Sequence, residues 1–93
     1  MKSYEALEKQ HEKLREEIVE NLDFLMGSVS TKGPKRPGLN LTFKINQVTR
    51  TRHIRKELEA QVSQMTARWR RLRSLLRKLS DVNWQRVNRG LGW

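Results

Sequence analysis

Leu58-Glu59-Ala60-Gln61-Val62-Ser63-Gln64-Met65-Thr66-Ala67-Arg68-Trp69-Arg70-Arg71-Leu72-Arg73-Ser74-Leu75-Leu76-Arg77-Lys78-Leu79 is the stretch that decides the fold. Leu58, Val62, Met65, Trp69, Leu72, Leu76 and Leu79 recur in it at spacings of 4, 3, 4, 3, 4 and 3. That is a heptad seam, and it predicts one long helix whose narrow apolar stripe packs on another helix. At about 1.5 Å per residue the stretch spans roughly 33 Å. Between the seam positions stand Arg68, Arg70, Arg71, Arg73, Arg77 and Lys78. One helix therefore carries both an oily seam and a strong positive field.

The partner for that seam lies upstream. Residues 3–26 read as a helix, with Ser3 as its cap and Glu5 at the positive end of its dipole. Leu7, His11, Leu14, Ile18, Leu22 and Leu25 recur every three or four residues and form a second seam. Its surface charges partly repel one another, as Glu8 with Glu12 and Lys9 with Lys13 at i,i+4. An acidic helix of this kind gains from a basic partner, so the two are expected to pair as long antiparallel helices.

Between them the period changes from helical to strand-like. Ser28 to Lys32 is β-branched and polar, which suits a short strand. Gly33-Pro34-Lys35-Arg36-Pro37-Gly38 is a loop with a basic tip. Leu39, Leu41, Phe43 and Ile45 alternate with Asn40, Thr42 and Lys44, the pattern of a half-buried strand. Asn46-Gln47 reads as a two-residue turn, and Val48 to Ile54 as the return strand. After Leu79, Ser80 is placed to cap a short third helix from Asp81 to Arg89. The expected architecture is α+β and a single small basic domain. It has a helix at 3–26, a β-meander at 28–54, a long helix at 55–79 and a short helix at 81–89.

Composition narrows the function. Ninety-three residues with 35% hydrophobic content hold only a modest core. The net charge is +10, which points to a polyanionic partner. There is no cysteine, so disulfides and thiolate metal sites are excluded. No apolar run is long enough for a transmembrane helix, and the charged start Met1-Lys2-Ser3-Tyr4-Glu5 is unlike a signal peptide. A cytoplasmic, nucleoid-associated protein is expected. His11 and His53 lack companions at ligand spacing, and no nucleophile–base or carboxylate-pair pattern is present, so neither a metal, a cofactor nor catalysis is expected.

The charge is unevenly spread. Residues 1–26 hold seven acids and four bases, whereas residues 27–93 hold three acids and sixteen bases. Thr49-Arg50-Thr51-Arg52-His53 is the sharpest local signal. A two-stranded ribbon can enter the major groove, where Arg pairs with guanine and Thr touches phosphate or a thymine methyl. The bland reading is a solvated edge whose charges discourage aggregation. The candidate nucleic-acid contacts are Lys35, Arg36, Lys44, Arg50, Arg52, Arg55, Arg68, Arg70, Arg71, Arg73, Arg77 and Lys78. Some of the helical arginines are expected to pair with Glu8, Glu12 and Glu16 instead. Trp69 is read as core, and Trp93 either stacks on a base or a partner protein or simply frays at the chain's end.

The order of motifs resembles a family of small bacterial proteins of unknown function. Gly27-Ser28, Gly33-Pro34, Gly38-Leu39-Asn40-Leu41-Thr42-Phe43-Lys44 and Thr49-Arg50-Thr51-Arg52-His53-Ile54 carry the resemblance. So do Lys56-Glu57-Leu58, Arg70-Arg71-Leu72-Arg73 and Leu79-Ser80-Asp81-Val82-Asn83-Trp84. The resemblance implies an association with mobile elements. Many members carry cysteines in the first loop, and this chain has none, so no metal role transfers.

The expected function is a small, non-catalytic, nucleic-acid-binding accessory protein. DNA is favoured over RNA on the resemblance alone. The alternative is a protein-interaction subunit, possible as a homodimer, that docks on a larger nucleoprotein enzyme. A membrane surface ranks last, because the apolar stripes are too narrow to insert.

Overall fold

The computed structural model describes residues 3–90. The element order is α1 (Tyr4–Glu20), β1 (Ser28–Thr31), β2 (Leu39–Ile45), β3 (Val48–Ile54), a 3-10 turn (Lys56–Leu58) and α2 (Glu59–Asn88). The class is α+β, with two helices and one three-stranded antiparallel sheet.

Three expectations about the helices are corrected. Only α2 is long, at 30 residues, while α1 has 17. α1 stops at Glu20 rather than residue 26 because Asn21 takes the C-cap, its Nδ2 donating to the Glu17 carbonyl at 2.8 Å. The separate helix at 81–89 does not exist: α2 runs through Ser80 without a break. Ser80 is only mildly unfavourable inside a helix, and Val82 continues the buried stripe, so nothing there stops the helix.

The chain divides into two compact units, Met1–Leu22 with Arg71–Trp93, and Asp23–Arg70. In the first unit α1 is capped by Ser3, whose Oγ accepts from the Ala6 N–H at 3.2 Å. Leu7, Leu14, Leu75 and Val82 form its buried core, with Ile18 and Leu79 packed against it. The stripe on this half of α2 therefore runs Leu72, Leu75, Leu79, Val82, and the expected seam residue Leu76 is 45% exposed. A straight helix at 3.6 residues per turn drifts about 20° per heptad, which moves the buried position from residue 76 to 75. Ion pairs Arg71–Glu17 and Arg86–Glu8 join the start of this half of α2 to the end of α1 and its end to α1's start. The two segments are thus antiparallel within the unit.

In the second unit the sheet order is β1-β2-β3. Leu39 pairs with Ile54, Leu41 with Arg52, Phe43 with Arg50 and Ile45 with Val48. Residues opposite one another in a ladder share a face, so one face carries Leu41 and Ile54, both buried. The turn residues Asn46 and Gln47 both have positive φ, 51° and 66°, as a type I′ hairpin requires. Gly27 sits at φ +126° where an added Cβ would lie 2.5 Å from the Thr42 carbonyl oxygen. Its role is close approach to β2. Residues 23–25 are strapped to the unit's part of α2. The Leu25 N–H donates to the Met65 carbonyl at 3.1 Å, and the Phe24 ring stacks on Trp69 at 5.2 Å. Trp69 is accordingly half-buried, and Leu58, the first expected seam residue, is exposed at 39%. Trp93 lies outside the described residues.

Candidate nucleic-acid interface

Charge separates along the fold. The unit Asp23–Arg70 contains ten bases and three acids, a net of +7. The helical unit contains ten bases and seven acids, a net of +3. From Ser28 to Lys56 there is no acidic residue at all. Most of the excess charge therefore belongs to the unit that holds the sheet.

The ladder registers sort its polar side chains onto two faces. Ser28, Ser30, Asn40, Thr42, Lys44, Thr49, Thr51 and His53 share one face. Six of these are exposed, and Asn40 and Thr42, on the central strand, are half-buried between neighbours. This face is polar throughout. Ser30 Oγ and Thr42 Oγ1 are hydrogen-bonded at 3.0 Å, and the Lys32 ammonium donates to His53 Nδ1. Gly38 takes φ +106°, a conformation that favours glycine, and the Lys32 stem passes at ordinary contact distance from it.

Arg50 and Arg52 point the other way, onto the face shared with Phe43, Ile45 and Val48. The Arg52 guanidinium lies 5.0 Å from the Phe43 ring centroid, held by the attraction of a cation to the negative ring face. Both arginines are exposed and sit on β3, an edge strand. An edge position lets a long side chain reach sideways beyond the sheet as well as over it.

The structure does not gather the expected contacts at one point. Lys44 and Arg50 lie toward the Asn46-Gln47 turn, with Lys44 on the polar face and Arg50 on the other. Lys35, Arg36 and Arg55 are exposed at the opposite end of the sheet, where β1 turns into β2 and β3 ends. A seven-residue strand separates the two ends by roughly 20 Å. Arg68 has a structural partner, its Nη1 donating to the Asp23 carbonyl at 3.1 Å, and Arg70 is exposed.

In the helical unit Arg71 is paired with Glu17 at 2.7 Å, while Arg73, Arg77 and Lys78 are exposed. The ion pairs made by Arg71 and Arg86 engage Glu17 and Glu8, in place of the expected Glu12 and Glu16. Arg86 was absent from the expected contacts. It holds Glu8 through two nitrogens, at 2.8 and 3.4 Å, with its own side chain only 11% exposed. Its position three residues beyond Asn83 and four beyond Val82 on the buried stripe was the signal available. Lys32 was missed as well; it follows β1 on the same parity as Ser28 and Ser30.

Among the described residues there is no group of three or more histidine, cysteine or acidic side chains placed to hold a metal ion. None of their helices is long and apolar enough to cross a membrane. Comparison with family models, with curated proteins and with solved structures finds no match.

Proposed function

We propose that the protein is a non-catalytic nucleic-acid-binding accessory module, with duplex DNA as its preferred target. The observation that carries this reading is the acid-free run from Ser28 to Lys56, which folds into a sheet with one fully polar, open face. A solvated sheet face needs polar residues but has no need to exclude every carboxylate. A surface that meets phosphates does, because each carboxylate would repel them.

In this reading the β2–β3 ribbon lies in the major groove with Asn40, Lys44, Thr49 and Thr51 toward the base edges. Arg50 and Arg52, on the edge strand, reach the flanking phosphates. Lys35, Arg36 and Arg55 extend the phosphate contacts at the far end of the sheet. The bacterial resemblance and its association with mobile elements favour DNA and a place at the nucleoid. They enter as support for the target only.

The test is binding to duplex DNA, single-stranded DNA and structured RNA of equal length across a salt series. Duplex DNA is expected to bind tightest, with a steep loss of affinity as salt rises. Replacing Arg50 and Arg52 together by alanine should lower the slope of log affinity against log salt by roughly 1.8, about 0.9 for each phosphate contact. Weak binding to all three polymers at physiological salt would overturn the reading.

A second reading is a protein-interaction subunit of a larger nucleoprotein enzyme. Ile45 and Val48, 49% and 53% exposed beside the hairpin turn, favour it. It predicts that Ile45→Ser with Val48→Ser abolishes capture by that enzyme while leaving DNA affinity unchanged.

A further inference from the structure

The helical unit buries one stripe of α2 and leaves a second one bare. Leu76, Trp84 and Val87 are 45%, 63% and 51% exposed. With Ser80 they stand at steps of four, four and three residues, so they fall within about 80° of the helix circumference. This stripe is centred about 110° from the one buried against α1. Single exposed apolar residues are ordinary, but a contiguous line that includes a tryptophan has the composition of an interface core.

We infer that this stripe binds a second copy of the chain, α2 against α2 in antiparallel sense, with Ser80 on the two-fold axis. The seam between α1 and α2 is satisfied within the chain, so it is not the dimer contact. The outer stripe is complementary to itself at Leu76 and Trp84. Leu76 lies four residues before Ser80 and Trp84 four after, so an antiparallel crossing at Ser80 sets Leu76 of each copy against the partner's Trp84. That is the isologous relation a two-fold axis demands. Serine at the crossing allows the helices to approach to the short end of the 8–10 Å range typical of packed helices, roughly 8 Å.

Charge supports the same direction. Antiparallel packing places Asp81 of each copy beside the partner's Arg77, and it separates Arg73 from the partner's Arg73 by roughly 20 Å along the axis. Parallel packing would stack Arg73 and Arg77 on their own counterparts, and like charges so placed oppose association.

The chain has no cysteine, so a single introduced thiol reports on this contact without background. With no nucleic acid present, Ser80→Cys is expected to form a disulfide-linked dimer under mild oxidation, because α-carbons at the crossing fall within disulfide reach. Lys78→Cys, on the far side of the helix from the stripe, is expected to stay uncrosslinked. Sedimentation equilibrium of the unaltered chain should show a dimer. Trp84→Ser should weaken it at least about tenfold with an unchanged far-ultraviolet spectrum, since Trp84 is exposed and carries no core packing. A monomer at millimolar concentration, or a dimer in which the two cysteine variants crosslink equally, would overturn the inference.

Discussion

The guanidinium of Arg52 stands over the ring of Phe43, 5.0 Å from its centroid, across the β2–β3 ladder. The contact spans a diagonal, because Arg52 pairs directly with Leu41 and Phe43 with Arg50. It gives an otherwise mobile side chain a preferred direction. Phe43→Leu keeps the apolar face and removes the ring, releasing about 0.5–1 kcal/mol of restraint. Anisotropy titrations should then show DNA affinity lower by a few fold, with the salt slope unchanged because no charge is lost. A lower slope would mean that Phe43 acts through something other than Arg52.

The ion pairs Arg86–Glu8 and Arg71–Glu17 of the helical unit should differ sharply in weight. Arg86→Ala removes a side chain only 11% exposed together with both of its bonds to Glu8, at a cost of about 2 kcal/mol. Arg71→Ala removes a pair in which the arginine is 53% exposed, and the loss should stay under about 0.5 kcal/mol. Urea denaturation of the two variants measures both. Equal losses would show that burial does not separate them.

Gly27→Ala meets two obstacles together. The backbone angle of +126° disfavours any side chain, and the new Cβ would press on the Thr42 carbonyl oxygen. The expected loss is at least about 2 kcal/mol, read as a lower urea midpoint. An unchanged midpoint would mean that β1 and β2 separate at little cost.

Gln47→Gly should act in the opposite sense. Gln47 is held at φ 66°, where a side chain with a Cβ is strained and glycine is not. Relief of that strain outweighs the extra freedom glycine has when unfolded, and the expected gain is about 0.5 kcal/mol. A fall in thermal midpoint would indicate that the Gln47 side chain holds the turn in a way its exposure does not suggest.

His11 is buried on α1, and its pKa is pushed down, first by loss of solvent and then by Arg86 and Arg15, against the pull of Glu8 and Glu12. A base whose folded pKa is depressed stays neutral in the fold while the unfolded chain takes up a proton. Stability from this source is complete above the unfolded value of 6.5 and is lost as pH falls through it toward the lower folded value. Thermal melts from pH 7.5 down to 5.5 should show a decline that is smaller in His11→Gln. An identical decline in both proteins would assign the effect to other groups.

The strands were more legible in sequence than the helices. β2 and β3 lie where strict alternation from Leu39 to Ile45 and the return from Val48 to Ile54 place them, because a period of two leaves no freedom of phase. Helical phase is looser. A period of 3.5 and one of 3.6 diverge slowly, and adjacent leucines at 75 and 76 let either be chosen from sequence. The end of α1 depended on one side-chain hydrogen bond from Asn21, and Leu22 and Leu25 continued the apolar spacing past it. Ser80 read as a cap because its side chain suits one, yet capping also needs a break in the stripe, and Val82 supplies none. At the candidate interface the parity of Arg50 and Arg52 against Thr49 and Thr51 was visible in sequence. Which cations become occupied in the fold, as Arg68 is by the Asp23 carbonyl, was not, because those partners lie far apart along the chain.

Strand β3 is an edge of the sheet and is exposed from Val48 to His53. An open edge is a template on which a further strand can add, and Arg50 and Arg52 oppose this by repelling another copy of themselves. Their guard lasts only while they are charged and uncovered. A polyanion added to the point of charge balance removes it from every chain at once, whereas an excess of either component restores repulsion. Turbidity of the mixed protein and polyanion should therefore peak near neutrality and clear on both sides, so the edge that favours a charged partner also sets the ratio at which the two coprecipitate.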